Sequence, residues 1–448
     1  MTEPRIIPRD EHPISRKDID RDTVHVLYKL KDAGYESYLV GGAVRDLYMG
    51  RTPKDFDITT DARPNELRRI FRNSRVVGRR FKLVHVFFGP KNVEVATLRS
   101  AVEPQDTGDL YVEDDNAWGD IESDAFRRDF TVNALFYSIR DFSVVDYTGA
   151  IADIEAKRIR AIGDPQVRFQ EDPVRMLRAI KFAARFGFTI EDATHNAMLD
   201  QQAEILKASR HRVTEEIFRI ISQANREAGL NLLADYGMLG VLYGDWLDAI
   251  GEEGFNQVCE FFRAVDAAAD EERYFPLEVL ACGLFIPLLG SVDLEKDNFN
   301  RVAARLTQDL RGMALRMDLP KKLMNSVIDN LRGQLYLLFF HHLTKRIRRF
   351  VDSPFFDPVW QVHLLAFGGV EDLAGVQAIW REARAAIRKP LGGTVGSPDR
   401  RDIFSFRGRT GGGRHQGGGR GRGGKDDDDD GEWADDASGI MAEAAADE

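Results

Sequence analysis

The chain has 448 residues, 43% of them hydrophobic, with 62 lysines and arginines against 73 aspartates and glutamates, a formal net charge of −11. Residues 426–448 hold eleven acidic residues and no basic one, so residues 1–425 are neutral and the acidic balance does not exclude a nucleic-acid partner. The two cysteines, Cys259 and Cys282, exclude a disulfide scaffold and an all-cysteine metal site.

A length of this order supports roughly two to four domains. Residues 1–22 are polar, carry three prolines and read as an extended lead-in without the apolar stretch of a signal peptide. The longest apolar runs, such as residues 335–340, fall far short of the roughly 20 residues that span a bilayer. A soluble cytoplasmic protein is the expectation. Between residues 23 and 163, short β-like runs alternate with helical periodicity, the pattern of a mixed α/β head. Inside it, residues 101–119 hold six acids, no base and no periodicity, and read as a mobile surface loop. From residue 164 the strand signals fade. Residues 164–225 read as a helical neck and residues 226–390 as a helical body. Residues 391–448 pass from a hinge through a Gly/Arg block at 407–425 into the acidic run, and lack the apolar content to offset the entropy of ordering. The expected fold class is α+β: a head with a small mixed sheet, an all-α remainder and a disordered C-terminal tail.

Chemistry first enters at GGAVRD, residues 41–46, where a β run breaks at Gly41 and Gly42 and turns into a helix. Glycines there let backbone N–H groups approach phosphate oxygens beside a helix N-terminus, with Arg45 in reach of the same phosphates. KDFDI at 54–58 alternates, so Asp55 and Asp57 share one face of a strand while Phe56 and Ile58 point to the core. Two such carboxylates can hold a pair of Mg²⁺ ions, which activate an attacking hydroxyl and stabilise a leaving pyrophosphate. A solvated turn also contains Asp-x-Asp; the position nine residues after GGxxRD favours the metal site.

Two further carboxylates are candidates. Glu94, the lone charge of NVEVAT at 92–97, is either an additional active-site carboxylate or an edge-strand surface charge. Asp129 follows Arg127 and Arg128 at the expected start of a helix with Val132, Leu135 and Phe136 on its apolar face; a charge complementing a helix N-terminus is the alternative. In EDPVRMLRA at 171–179, Asp172 before Pro173 reads as a helix N-cap. Asp172 and Arg175 lie one turn apart and can offer an acceptor and a donor fork to a nucleobase edge, or form a structural ion pair.

GGAVRD, KDFDI, RRDFTVNAL (127–135) and EDPVRMLRA, in that order, resemble the class II nucleotidyltransferase family of tRNA CCA-adding enzymes and bacterial poly(A) polymerases. The likeness runs over about residues 38–188. Residues 76–86 leading into EVATLR at 94–99 resemble the poly(A) polymerase branch, and LPKK at 319–322 and SPFF at 353–356 resemble it more loosely. The resemblance implies a nucleotidyltransferase head with Asp55 and Asp57 as metal ligands and Asp129 as an additional active-site carboxylate. It also implies that Gly41, Gly42, Arg45 and Arg128 contact the triphosphate or sugar, and that Asp172 and Arg175 read the base, with Arg178 nearby.

The implied reaction is template-independent transfer of AMP from ATP to the 3′-hydroxyl of RNA, with two Mg²⁺ ions. Addition of CCA, or part of it, to tRNA is the alternative; a catalytically silent RNA-binding protein is the alternative of another class. No histidine precedes an aspartate, which removes the phosphohydrolase domain carried by long CCA-adding enzymes. RNA contacts are expected from Lys345, Arg346, Arg348 and Arg349, and from Arg407, Arg409, Arg414, Arg420 and Arg422 in the Gly/Arg block, whose other reading is a flexible linker. The acidic run could fold back on that block and compete with RNA. Deleting residues 426–448 should then raise RNA affinity at low salt, and an unchanged affinity would dispose of the idea.

Overall fold

The computed structural model describes residues 3–78, 82–100, 118–269, 275–290, 298–341 and 344–387. The expected loop at 101–119, apart from its last two residues, and the expected disordered tail, with the five arginines of its Gly/Arg block, lie outside them. The chain divides into two units, Met1–Gly251 and Glu252–Glu448.

The first unit opens with β1 (Arg5–Ile7), α1 (Arg21–Asp32), β2 (Ser37–Val40), α2 (Gly42–Tyr48), β3 (Asp57–Thr60) and α3 (Pro64–Ile70). Strands β4 (Ser74–Val77), β5 (Leu83–Phe88) and β6 (Lys91–Thr97) follow, then α4 (Ile121–Phe126), β7 (Leu135–Ser138) and β8 (Val144–Asp146). They make one eight-stranded sheet in the order β1-β8-β7-β2-β3-β6-β5-β4. Only β3 and β6 run parallel. The lead-in thus contributes an edge strand, with Ile7 buried and Ile6 exposed.

Two local expectations fail. Thr131–Asn133 is a single 3₁₀ turn, and residues 135–138 then form strand β7 rather than the second turn of a helix. The cause is two-sided burial: β7 lies between β2 and β8, and Leu135, Phe136 and Tyr137 are fully buried. A short continuous apolar run gives the same periodicity in a buried strand as in a buried helix. Burying each such side chain contributes about 1.5–3 kcal/mol. The second is the edge-strand alternative for Glu94: its strand β6 is interior, between β3 and β5.

After the sheet come α5 (Ala150–Glu155), β9 (Arg158–Ile159), α6 (Pro165–Glu171) and α7 (Val174–Phe186). Strand β10 (Thr189–Ile190) pairs in parallel with β9, so the region after residue 164 is not wholly helical. Next are α8 (Asp192–Gln201), α9 (Arg210–Ile221) and α10 (Arg226–Asp235); α7 packs against both α9 and α10. Helix α7 begins one residue later than expected. Pro173 is its N-cap, while Asp172 ends α6 and accepts from the Val174 N–H at 3.3 Å. Helix α11 (Met238–Ala268) leaves helical geometry at Tyr243 and Gly251, where the first unit ends.

The second unit continues with α12 (Leu277–Gly283), α13 (Phe299–Arg316), α14 (Lys321–Phe339), α15 (Thr344–Asp352), α16 (Phe356–Phe367) and α17 (Ala374–Ile387). Its core is aromatic: Tyr336 and Phe350 lie 4.6 Å apart, and buried Trp380 donates its indole N–H to the Leu337 carbonyl at 3.0 Å. Gly333 lets α14 and α16 touch, since a Cβ there would lie 2.4 Å from Val359 Cγ2. On α15, Ile347, Phe350 and Val351 are buried, whereas Lys345, Arg348 and Arg349 are exposed. Arg346 lies 4.2 Å over the Phe340 ring. Among the described residues no helix is long and apolar enough to cross a membrane.

Candidate active site

A cavity of about 640 Å³ in the first unit gathers most of the residues singled out above. Strand β2 delivers Gly41, which takes φ +67° and donates its N–H to the Leu135 carbonyl. Only glycine suits that backbone comfortably, and a Cβ there would stand 3.2 Å from Arg128 Nη1. Helix α4 is held on the sheet by Ala125 packing with Val40 and Phe136, and the Arg128 guanidinium lies 5.1 Å over the Phe136 ring.

The cavity is lined by nine basic side chains and five carboxylates. Three of the carboxylates carry arginine partners. Asp46 binds Arg45 and Arg185, Asp129 binds Arg178, and Asp172 binds Arg212. Carboxylates outside the lining hold others: Asp124 grips Arg127 and Arg128, and Glu171 holds Arg175. Asp55 and Asp57 stand apart. Both face the cavity, and neither makes a hydrogen bond or ion pair with a described residue.

Asp55 precedes β3 and Asp57 opens it, directly across the parallel ladder from Glu94. Glu94 does not line the cavity; its carboxylate lies 3.4 Å from Nε2 of His85, its antiparallel partner on β5. His85 is half-buried and bonded to Asn92. Crowding by protein, then the charges of Glu94 and Asp55, push the Asp57 carboxyl up to about 6 against the opposing pull of Arg128. Burial and Asp55 likewise raise Glu94. Carboxylates that repel one another beside open space suit a divalent cation. Among the described residues no three carboxylate, histidine or cysteine side chains form a metal-enclosing group. The chain would therefore supply a partial ligand set, as for magnesium completed by water and substrate phosphates.

Other expected groups are engaged differently. Arg45 is 2% exposed, bonded to Asp46 and to the Asn133 side chain, and 4.4 Å over the Phe186 ring. It braces α2 against α7 rather than reaching freely into the cavity. Asp129 uses both oxygens: Oδ2 accepts from Arg178 Nε and Nη2 at 2.8 and 2.5 Å, and Oδ1 from the Phe130 N–H and Asn133. Burial alone would raise its carboxyl, but Arg178, Asn133 and the Phe130 N–H hold it at about 2. Asp172 and Arg175 both line the cavity without pairing with each other.

The Asp129 environment carries an acid-stability prediction. An aspartate at 3.8 when unfolded and about 2 when folded contributes about 2 kcal/mol, fully present above pH 3.8 and lost as pH falls through about 2. Urea unfolding between pH 5 and 2 should show wild type converging on Asp129→Asn. Two curves that stay parallel would contradict the assignment.

Sequence reasoning missed Arg185, Arg212 and Arg219, which complete the cavity wall. A signal existed: Arg178 and Arg185 on α7, and Arg212 and Arg219 on α9, are each spaced seven residues apart, hence on one helical face. The anchors Asp46, Asp124 and Glu216 had no such signal, because their partners are set by packing.

Residues 37–160 match the family described as "Poly A polymerase head domain", and residues 187–246 the one described as "Probable RNA and SrmB-binding site of polymerase A". Poly(A) polymerase I of Salmonella typhi is 41% identical over 297 residues, 63% of this chain and 64% of that protein. Poly(A) polymerase I of Escherichia coli is 36% identical over 369 residues, 78% of this chain and 79% of the relative. Among solved structures, the Bacillus stearothermophilus CCA-adding enzyme in complex with CTP is 25% identical with a TM-score of 0.59, covering 82% of each chain. On the extent of the Escherichia coli match, the chain belongs to the poly(A) polymerase and CCA-adding enzyme family of nucleotidyltransferases.

Proposed function

We propose that the protein transfers AMP from ATP to the 3′-hydroxyl of RNA without a template, releasing pyrophosphate. The observation that carries this reading is the contrast at the cavity: arginines tethered by carboxylates, and two carboxylates, Asp55 and Asp57, that make no ion pair with a described residue. Under this reading those two side chains hold magnesium, which when bound supplies polarisation of the attacking hydroxyl and charge neutralisation at the leaving pyrophosphate. Arg128, steadied by Asp124, and Arg185, steadied by Asp46, offer fixed positive charge to the triphosphate. Such groups need no reorganisation as negative charge develops. RNA would be held by phosphate contacts that include the exposed basic face of α15, so its affinity should fall steeply with salt.

Base choice falls to Asp172 and Arg175. A carboxylate accepts and a guanidinium only donates. Adenine and cytosine each present an amine beside a ring-nitrogen acceptor; guanine and uracil present the reverse. The pair therefore suits adenine and cytosine and leaves mispaired polar groups against the others, a penalty of about a hundredfold or more. This compatibility with cytosine, and the fold shared with a CTP-bound CCA-adding enzyme, support the second reading, addition of C and A to tRNA.

Single-nucleotide incorporation with each triphosphate, on an RNA oligonucleotide and on tRNA lacking its terminus, separates the two. Preferential AMP transfer to the oligonucleotide is expected. Efficient CMP transfer restricted to tRNA would overturn the first reading in favour of the second.

A further inference from the structure

Arg178 and Arg219 both line the cavity, and both are held from outside it by one carboxylate. Glu216 of α9 is 5% exposed and is not itself part of the lining. Its Oε1 accepts from Arg219 Nη1 at 2.7 Å and lies 3.8 Å from Arg178 Nη1; its Oε2 accepts from Lys181 Nζ at 2.6 Å. Lys181 sits between Arg178 and Arg185 along α7 yet is itself buried and does not line the cavity. A buried pair of this kind is not the cheapest way to join two helices, since apolar side chains of similar volume often serve as well or better. What an apolar pair would not supply is a fixed negative charge that accepts from Arg219 and lies within ion-pair range of Arg178. Among the described residues, Arg178 without Glu216 keeps its ion pair with Asp129, and Arg219 its ion pair with Glu215.

We propose that Glu216, steadied by Lys181, is a positioning residue for nucleotide selection, aiming Arg178 and Arg219 so that their N–H groups do not swing to the carbonyl-bearing edges of guanine and uracil. The proposal rests on reading the cavity as a nucleoside triphosphate site. Guanidinium groups are obligate donors, so a loosely held arginine rewards any base that presents a carbonyl oxygen. Held by the buried carboxylate, the same group leaves discrimination to Asp172 and Arg175.

The test uses the full chain with an RNA oligonucleotide, measuring kcat and KM for all four triphosphates together with thermal unfolding. Glu216→Gln is expected to raise the KM for ATP about tenfold with kcat changed less than about twofold, and to lower discrimination against GTP and UTP about tenfold. The double variant Lys181→Met with Glu216→Leu separates aiming from folding. Its unfolding temperature should return towards wild type while the altered KM and selectivity persist. Recovery of wild-type kinetics in the double variant would overturn the proposal, as would Glu216→Gln with unchanged KM and selectivity, or with its loss confined to kcat. A wild-type protein that incorporates no nucleotide would instead overturn the underlying reading of the cavity.

Discussion

Replacing either Asp55 or Asp57 by asparagine should abolish nucleotide incorporation, by at least about a thousandfold, while leaving thermal unfolding essentially where it was. Both side chains face the cavity and neither bonds to a described residue, so their loss removes no structural contact. Asp57 is solvent-exposed, yet crowding by the surrounding protein and the charges of Glu94 and Asp55 oppose its ionisation, so Asp57→Asn relieves repulsion and should if anything stabilise the fold slightly. Loss of activity with unchanged or improved stability is the signature of a group kept for chemistry. An Asp57→Asn protein that unfolds several degrees earlier would mark the residue as structural.

Asp124→Ala should behave in the opposite way. Asp124 is completely buried and accepts four hydrogen bonds from Arg127 and Arg128, on the three- and four-residue spacing that brings side chains together on a helix. Removing it leaves two partly exposed guanidinium groups side by side without the carboxylate that pairs them, a loss of about 3 kcal/mol. Against a total stability of about 5–15 kcal/mol, that is enough to shift the denaturation midpoint well outside experimental scatter. The same change frees Arg128 from its seat beside Gly41, so any protein that remains folded should show an ATP KM raised about tenfold. Urea unfolding and steady-state kinetics on one preparation check both parts. Wild-type stability would contradict the anchoring role.

The contrast between these variants marks what was legible in the sequence. KDFDI and NVEVAT announce themselves by alternation and by charges set among apolar neighbours; NVEVAT lies in β6, whereas KDFDI only runs into β3, which opens at Asp57, so Asp55 precedes the strand and Asp57 alone falls directly opposite Glu94. The glycine turn was equally plain, because backbone with φ +67° selects for glycine whatever the surroundings. Arg45 lines the cavity, as its place beside the turn suggests, but its bonds to Asp46 and Asn133 and its seat against Phe186 are set by packing and have no signature in the sequence. Residues 135–138 were misjudged because β7 is apolar on both faces and loses the alternation that betrays a strand. Asp46, although it ends GGAVRD, has no role legible in the sequence, and neither do Asp124 and Glu216. A carboxylate that backs an arginine looks like any other until the helices carrying the two are packed.

Sequential adenylyl transfer at the site of Asp55 and Asp57 is tested most directly by primer extension. An unstructured RNA oligonucleotide would be incubated with ATP alone and a divalent cation, and the products resolved by length. A ladder of adenylate additions running well beyond three nucleotides, absent with Asp57→Asn, is the predicted result. Extension that stops within three nucleotides and requires CTP and a tRNA end, or a ladder undiminished in Asp57→Asn, would contradict it.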